Sequence, residues 1–451
     1  MVNINSLLTK LYSLKQSYTT KTLEKITELC QFLYNPHLNY PTIHIAGTNG
    51  KGSICSMLAS VLQESGYRVG LYTSPHIFKF NERIKINGQC INDNEIVKIY
   101  NMIDALAEDI NASFFDITTT IAFKHFYDKK VDIAIIETGL GGRYDSTNIV
   151  TPILSIITNI STDHTDILGN ELIDIIEEKA GIIKSDIPVI IQDTNPHILE
   201  HLIKHANELK APYYVTYNFP YIEFIEYKKN DDNAYKLIYS IANDDGIVRF
   251  RTEEEVFFTD SIVRDISLTR RSCSLIGRHQ LENIKLIWFA SLFIQFSGFN
   301  IKKGCLGIGI ENVTKNTGID CRIKDISTNE TPIILDVAHN SESISSLVKT
   351  LNEIYKNTKW NIVFGVMKDK SIKHILELLA PICNQLILPK LNLERAASPE
   401  EIKTIAEQIG IKNIQIKANI SDACAIIRTE DLPAVVCGSF YIMEDAITTL
   451  K

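Results

Sequence analysis

Residues 43–53 read Ile43-His44-Ile45-Ala46-Gly47-Thr48-Asn49-Gly50-Lys51-Gly52-Ser53. The apolar run Thr42–Ala46 breaks into a glycine-rich turn, and a helical pattern over 53–64 follows, ended by Ser65-Gly66. A strand, a tight turn and a helix start in that order let backbone N–H groups and the helix dipole surround a polyphosphate. In such a loop Lys51 reaches the β- and γ-phosphates, and a hydroxyl such as Ser53 faces the metal. The match to the P-loop pattern is imperfect: Ile45 takes the place of its first glycine, and Gly52 separates the lysine from the serine. The plain alternative is a turn that binds nothing. Three glycines around a lysine directly after a strand weigh against it. The loop points to nucleoside triphosphate binding and to no particular reaction.

The same alternation continues outward. Segments 69–73, 131–136 and 153–158 are short, β-branched and apolar throughout, with a helical segment at 116–127. Continuous apolar strands separated by helices imply a parallel sheet covered on both faces. In an open sheet of that kind, ligands bind outside the carboxyl ends of the strands. Segment 69–73 leads to Ser74, 131–136 leads to Glu137, and 153–158 leads through Asn159 to His164. A hydroxyl, a carboxylate and an imidazole converging on a triphosphate suit one or two Mg²⁺ ions, although imidazole is a less usual ligand for so hard a cation. Taken singly, each has a plainer account as a turn serine, a solvated glutamate or a satisfied histidine. Their shared position after strands near the phosphate loop favours the metal.

Lys179 stands out within 171–183, where it lies on the apolar stripe formed by Ile175, Ile176 and Ala180. An inward lysine is costly unless it is paired, and burial favours its neutral amine, which can add CO₂ to give a carbamate. Periodicity alone favours a lysine whose stem packs while its ammonium reaches water.

The remainder of the chain divides into further blocks. Helical periodicity runs through the first 34 residues. Runs rich in Tyr and Ile between about 213 and 258, with a turn at 243–246, predict a small antiparallel sheet inserted into or attached to the first domain. Two helices follow, over 281–296 and 301–313, and strands at 333–335, 361–364, 385–388 and 434–437 open a second α/β unit. The expected domains are 1–315, a P-loop-type parallel sheet with helices on both faces plus the β-rich segment, and 316–451, a Rossmann-like α/β domain.

Length and composition bound the function. A chain of 451 residues is too long for one ordinary core, so two or three domains are expected. With 45% hydrophobic and 22% charged residues, a net charge of −8 and no Lys/Arg tract, it reads as a globular small-molecule enzyme. Nucleic-acid and membrane-surface roles fit poorly. The start, MVNINSLLTK, lacks the basic and apolar regions of a signal peptide, and nine scattered cysteines without a C-x-x-C pair read as buried thiols of a reducing compartment. A cytoplasmic protein is the expectation.

The ordered motifs resemble one family, the folylpolyglutamate synthase/dihydrofolate synthase enzymes, relatives of the Mur peptidoglycan ligases. The matching stretches are HIAGTNGKGS (44–53), TSPH (73–76), FNERIKING (80–88), ETGLGGRYDSTN (137–148), Asp163-His164 with Leu168-Gly169, and EKAGI (178–182). Later come GRHQLEN (277–283), LDVAHN (335–340), MKDK (367–370), Arg395-Ala396 and GSF (438–440), so the resemblance covers nearly the whole chain. It implies that Gly47, Thr48, Asn49, Gly50, Lys51, Gly52 and Ser53 cradle ATP and that Ser74, Glu137 and His164 bind Mg²⁺. It also implies that Lys179 is a carbamylated lysine supporting a second ion, which reverses the reading from periodicity. Asn283, Arg322 and Asp336 are implied to contact ATP, the last two from the C-terminal domain, with His339 near the nucleotide or the incoming glutamate. One stretch departs from the pattern: the family has Pro-Gly-Arg or Pro-Ala-Arg followed by an acid near the domain junction. This chain has Asp320-Cys321-Arg322-Ile323-Lys324.

The resemblance implies a ligase that turns a carboxylate of dihydropteroate or of a folate into an acyl phosphate, then couples it to L-glutamate, with catalytic parts for Lys51, His164, Lys179 and His339; a monomer is the default expectation. Segment 113–120 (SFFDITTT) falls where the family helps form its pterin pocket. Two other functions compete. A Mur-type ligase for a UDP-linked peptide usually carries a further N-terminal domain, and only about forty residues precede the loop here. A non-catalytic nucleotide switch would not need Glu137, His164, Lys179 and Asp336 together.

Overall fold

The computed structural model describes residues 3–14, 21–161, 169, 171–216, 221–229, 235–242, 248–249, 257–258, 271–327, 331–430 and 432–451. The chain forms two compact units, and the main division falls between Gly318 and Ile319. Segments Phe224–Tyr239 and Ser272–Leu281 belong to the second unit.

The first unit is built on an eight-stranded sheet. Its strands in chain order are β1 (Thr42–Ala46), β2 (Val69–Tyr72), β3 (Ile84–Ile86), β4 (Gln89–Cys90), β5 (Ile133–Glu137), β6 (Leu154–Ile157), β7 (Val189–Ile191) and β8 (Tyr213–Val215). They lie in the order β4-β3-β2-β5-β1-β6-β7-β8. The run from β2 to β8 is parallel, and β3 and β4 add an antiparallel edge beside β2. Because β1 is flanked on both sides and covered on both faces, every one of its residues is buried, and its sequence is mostly apolar, with Thr42 and His44 as buried polar members. Ala134 and Ile136 of β5 point into one core with helices Glu24–Phe32, Asp93–Asp109 and Phe114–Asp128. Helix Lys51–Glu64 packs on β2 and β5, and Ala46 and Ile157 join helices Leu172–Ala180 and Pro196–Glu208.

Register fixes where the strands end. Ile45 pairs with Glu137, Ala46 with Ile157 and Tyr72 with Ile136. Four neighbouring strands therefore release Ser74, Glu137, Gly47 and Thr158 along one edge of the sheet. Among the described residues no helix is long and apolar enough to cross a membrane.

The β-rich stretch divides differently from the expected single insertion. β8 joins the main sheet beside β7, because Tyr213–Val215 pairs in parallel with Val189–Ile191. β9 (Tyr221–Lys229), β10 (Tyr235–Ala242) and β13 (Arg271–Cys273) make a three-stranded sheet, and β11 (Val248–Arg249) pairs antiparallel with β12 (Phe257–Phe258). The turn read at 243–246 lies outside the described residues.

The second unit holds a six-stranded sheet in the order β14-β15-β19-β16-β17-β18. These are β14 (Lys324–Asp325), β15 (Ile333–Leu335), β16 (Trp360–Phe364), β17 (Cys383–Pro389), β18 (Ile414–Lys417) and β19 (Ala434–Cys437). All are parallel except β14, which turns back antiparallel along β15. Trp360, Phe364, Leu386 and Val435 fill its core with helices Ser341–Ile354 and Ile372–Leu379.

Candidate active site

The phosphate loop is held open by its neighbours. Gly47 has φ +148°, and a Cβ there would overlap the Thr158 side chain, so only glycine fits. The Thr48 N–H donates to the Asn159 carbonyl at 2.8 Å, and the Asn49 N–H donates to Asn159 Oδ1 at 3.1 Å. Thr158 Oγ1 donates to the Asn49 carbonyl at 2.7 Å, while Thr48 Oγ1 exchanges hydrogen bonds with Ser161. Gly50, with φ +86°, then starts helix Lys51–Glu64 without any side-chain cap. The first N–H groups of that helix thus meet no capping side chain, which is the condition for an anion site. The Asn283 side-chain oxygen lies directly beside Gly50, bringing that residue to the loop.

Two ammonium groups converge on one carbonyl. Lys51 Nζ donates to Gly47 O at 3.0 Å and to Thr48 O at 3.3 Å. Lys179 Nζ donates to the same Gly47 O at 2.8 Å, and the residue is 4% exposed. Lys179 therefore points inward and does not snorkel. At the end of the strand paired with β1, Glu137 is 4% exposed and accepts the Ser74 N–H at 3.1 Å. The structure thus brings together Gly47–Ser53, Ser74, Glu137, Lys179 and Asn283. His164 lies outside the described residues.

No group of three His, Cys, Asp or Glu side chains gathers as a metal site among the described residues. Mg²⁺ needs only one or two protein oxygens and completes its shell with phosphates and water. The Ser74 hydroxyl and the Glu137 carboxylate are donors of the right kind.

Sequence reasoning missed the network behind this edge. His44 Nε2 lies 2.8 Å from Thr147 Oγ1, and Thr147 Oγ1 donates to the Asp145 carboxylate. With the hydroxyl proton committed to Asp145, His44 must donate through Nε2–H and keep Nδ1 bare. Its complete burial, with the Lys184 charge adding, pushes the imidazole down to about 3. Asp145 also accepts the Leu140 N–H at 2.9 Å, which ties down the loop after Glu137, and burial raises its carboxyl. Next door, Asp116 accepts from the Ser146 and Ser113 hydroxyls at 2.6 Å each, fixing the start of helix Phe114–Asp128. The available signal was Asp145 within 137–148, which the motif had already marked.

An aromatic wall adjoins the network. Phe114 and Phe115 meet edge to face with centroids 5.4 Å apart, and Tyr12 stacks on Phe114 at 5.9 Å. The Arg83 guanidinium lies 5.2 Å over Phe114, and Arg83 Nε donates to His76 Nδ1 at 2.8 Å. Burial, followed by the Arg83 charge, pushes His76 down to about 3. A Cβ on Gly139 would run into the Phe115 ring, so the wall reaches the loop that follows Glu137.

In the second unit Asp336 is 7% exposed, and its carboxylate accepts the Ile323 N–H at 2.6 Å and the Ala338 N–H at 2.7 Å. Burial raises it to about 6, with Arg322 and these two N–H groups opposing. The Arg322 guanidinium lies 5.3 Å from the Phe440 ring centre, and His339 lies 5.9 Å from the same ring. His339 Nδ1 is 2.8 Å from the Val337 carbonyl, so Nδ1 carries the hydrogen that this carbonyl accepts.

Comparison with known proteins follows the same lines. The Mur ligase middle domain model matches residues 45–288, and the Mur ligase glutamate ligase domain model matches residues 322–440. The chain is 31% identical over 440 residues to the dihydrofolate synthase/folylpolyglutamate synthase of Bacillus subtilis, covering 95% of each. The solved folylpolyglutamate synthase of Thermotoga maritima superposes with a TM-score of 0.77 at 28% identity, covering 99% of this chain and 96% of that one. E. coli FolC, solved in complex with DHPP and ADP, superposes with a TM-score of 0.80 at 25% identity, covering 99% and 97%.

Proposed function

This chain belongs to the folylpolyglutamate synthase/dihydrofolate synthase family of Mur ligases, and we propose that its phosphate loop, Ser74–Glu137 pair and Phe114–Phe115 wall divide one reaction among them. The protein is an ATP-dependent acid–amino-acid ligase that joins L-glutamate to a folate-type carboxylate. The observation that carries the assignment of roles is the meeting of Lys51 and Lys179 on the Gly47 carbonyl, with Glu137 ending the strand paired with β1.

ATP lays its phosphates over Gly47–Ser53, where backbone N–H groups and Lys51 take up the charge. The acceptor's ring system lies against Phe114 and Phe115, and its carboxylate oxygen attacks the γ-phosphorus. The bond to the β-phosphate oxygen breaks, ADP leaves, and an acyl phosphate remains. The α-amine of L-glutamate then adds to the acyl carbon and expels inorganic phosphate, and the amine gives up a proton. Mg²⁺, when bound by Ser74, Glu137 and His164, would neutralise charge on the transferred phosphoryl group. Lys179, once its ammonium has given up one proton, would add CO₂ through the neutral amine with loss of a second proton from nitrogen, and the carbamate oxygens would help hold a second ion. Arg322 and Asn283 serve the nucleotide, and His339 serves the nucleotide or the incoming glutamate. Positioning and electrostatics carry the rate, and no covalent nucleophile is required. The acceptor is either dihydropteroate or a reduced folate, and one enzyme acts on both.

Acceptor labelled with ¹⁸O in its carboxylate tests the central step. An acyl phosphate requires one labelled oxygen to pass to the released phosphate with each turnover. Unlabelled phosphate would exclude it.

A further inference from the structure

Three residues before Gly47, β1 carries His44 between Ile43 and Ile45, with its side chain 0% exposed. A side chain so buried meets no substrate, so whatever it contributes passes through its neighbours. Its Nε2–H donates to Thr147 Oγ1 at 2.8 Å, and Thr147 Oγ1 donates in turn to Asp145 Oδ1. His44 Nδ1 is buried with no hydrogen-bond partner among the described residues. A bare buried nitrogen costs free energy, and a leucine would fill the same space without that cost. The bond to Thr147 is what the histidine provides and the leucine could not.

Thr147 and Asp145 belong to the connection 139–148 that follows Glu137, and side chains fold this connection onto itself. Asp145 Oδ2 accepts the Leu140 N–H at 2.9 Å, and Oδ1 accepts the Thr147 N–H at 3.0 Å. The connection is then fastened to the end of helix Leu172–Ala180, which carries Lys179. There the Arg143 N–H donates to the Glu178 carbonyl at 2.6 Å, and Asn148 Nδ2 donates to the Gly181 carbonyl at 3.0 Å. On its other side Gly139 abuts the Phe115 ring. The connection thus runs between the Lys179 helix and the aromatic wall, and His44 ties it to the strand that ends in the phosphate loop. The two ends of that tie are held unequally. β1 pairs with β5 and β6 along its length, and Thr158 and Asn159 brace the phosphate loop. Residues 139–148 lie outside the sheet strands and depend on side-chain bonds.

We propose that His44 is a positioning residue whose hydrogen bond to Thr147 registers the 139–148 connection on the nucleotide-binding strand, and so sets where the acceptor lies against the phosphate loop. Its loss is felt on the acceptor side, because the phosphate loop has its own supports. The proposal rests on the reading of Phe114 and Phe115 as the acceptor's seat.

Steady-state kinetics of the full chain with dihydropteroate, Mg-ATP and L-glutamate, joined to amide exchange, test this. H44L removes the donor and is expected to raise the acceptor KM about five-fold or more, the scale of one lost buried hydrogen bond, with the ATP KM unchanged. H44Q offers an N–H in place of Nε2–H and should recover most of that loss. H44L combined with T147V should be no worse than the more affected single variant, because both remove one link. A raised ATP KM with an unchanged acceptor KM would make His44 a support of the phosphate loop and overturn the proposal. Additive losses, or no recovery in H44Q, would overturn it as well. F115A keeps the two readings apart. An acceptor KM raised by F115A and untouched by H44L sinks the positioning role alone, whereas one untouched by F115A sinks the wall as the acceptor's seat. Exchange reads the tie directly: H44L should speed it at Leu140 and Thr147 and leave Thr48 and Asn49 as in the wild type. Unchanged exchange at Leu140 and Thr147 overturns the role of His44 whatever the kinetics. T147V makes the same tests from the far side of the bond if H44L does not fold.

Discussion

Lys51 and Lys179 share the Gly47 carbonyl, yet their assignments predict different failures. Lys51→Ala should lower kcat by about 10²–10³, the scale for removing one preorganised donor from a charge-developing site, with little change in acceptor KM. Lys179→Ala should abolish ligase turnover, while Lys179→Arg keeps the charge but cannot form the carbamate and should be equally dead. Full activity in either Lys179 variant, read as glutamate-dependent ADP release, would remove the carbamate from the scheme. Buried histidines make a second residue-scale prediction. His44 and His76 are pushed down to about 3 and His279 to about 4, in each case chiefly by burial. Between pH 6.5 and those values the unfolded chain binds protons that the folded protein refuses, so stability rises with pH there and is lost on acidification. Asp336 works in the opposite sense: its folded value of about 6 exceeds 3.8, so its contribution is present below 3.8 and is lost as pH rises through 6. His37, also pushed down to about 4 by burial, joins these histidines, and the four together outweigh Asp336, Asp145 and Glu178, whose carboxyls burial raises. The urea midpoint should fall from pH 7 to pH 4, and His44→Gln, which keeps the Nε2–H donor to Thr147, should fall less. An equal fall in both proteins would show that His44 is not held neutral. From sequence, Lys179 was ambiguous because a stripe position gives no depth; its 4% exposure and its bond to Gly47 decide the direction.

The strand-to-helix loop is the element on which the account turns. Gly47→Ala places a methyl group into Thr158 at a φ that alanine resists, so Mg-ATP binding should drop by more than ten-fold, with about 1–3 kcal/mol lost from folding. Wild-type nucleotide affinity in that variant would mean that the loop has another shape. At the aromatic wall, Phe115→Ala should raise the acceptor KM while leaving the ATP KM unchanged, because the ring abuts Gly139 and not the phosphate loop. A change in the ATP KM alone would misplace the acceptor. The buried parallel strands were legible because β1, β5, β6, β16 and β19 are fully buried and read as short, mostly apolar runs. The edge strands were not. β4 carries two exposed residues, and β18 is only half-buried and carries Lys417, so neither produces a continuous run. Asp145, His44 and Thr147 escaped for a related reason: a buried polar network has no periodicity, and its members meet only after the strands have paired.

For the whole molecule, the order β2-β5-β1-β6 explains why motifs far apart in the chain act at one place. Ser74, Glu137, Gly47 and Asn159 each follow a different strand, and a parallel register delivers them to a common edge. That much could be read from the alternation of strands and helices. The shape of the turn around Arg322 could not, because it depends on backbone angles at Cys321 and Ile323 that residue identities do not announce. Choice of acceptor belongs to this scale as well, since it requires the loop, the metal seat and the aromatic wall together. The most direct test is glutamate-dependent ADP formation by the full chain, with Mg²⁺ and bicarbonate present, using dihydropteroate and, separately, a reduced folate monoglutamate. The account predicts turnover with both acceptors, and none when glutamate is omitted. Folded protein that releases no ADP with either acceptor would contradict it.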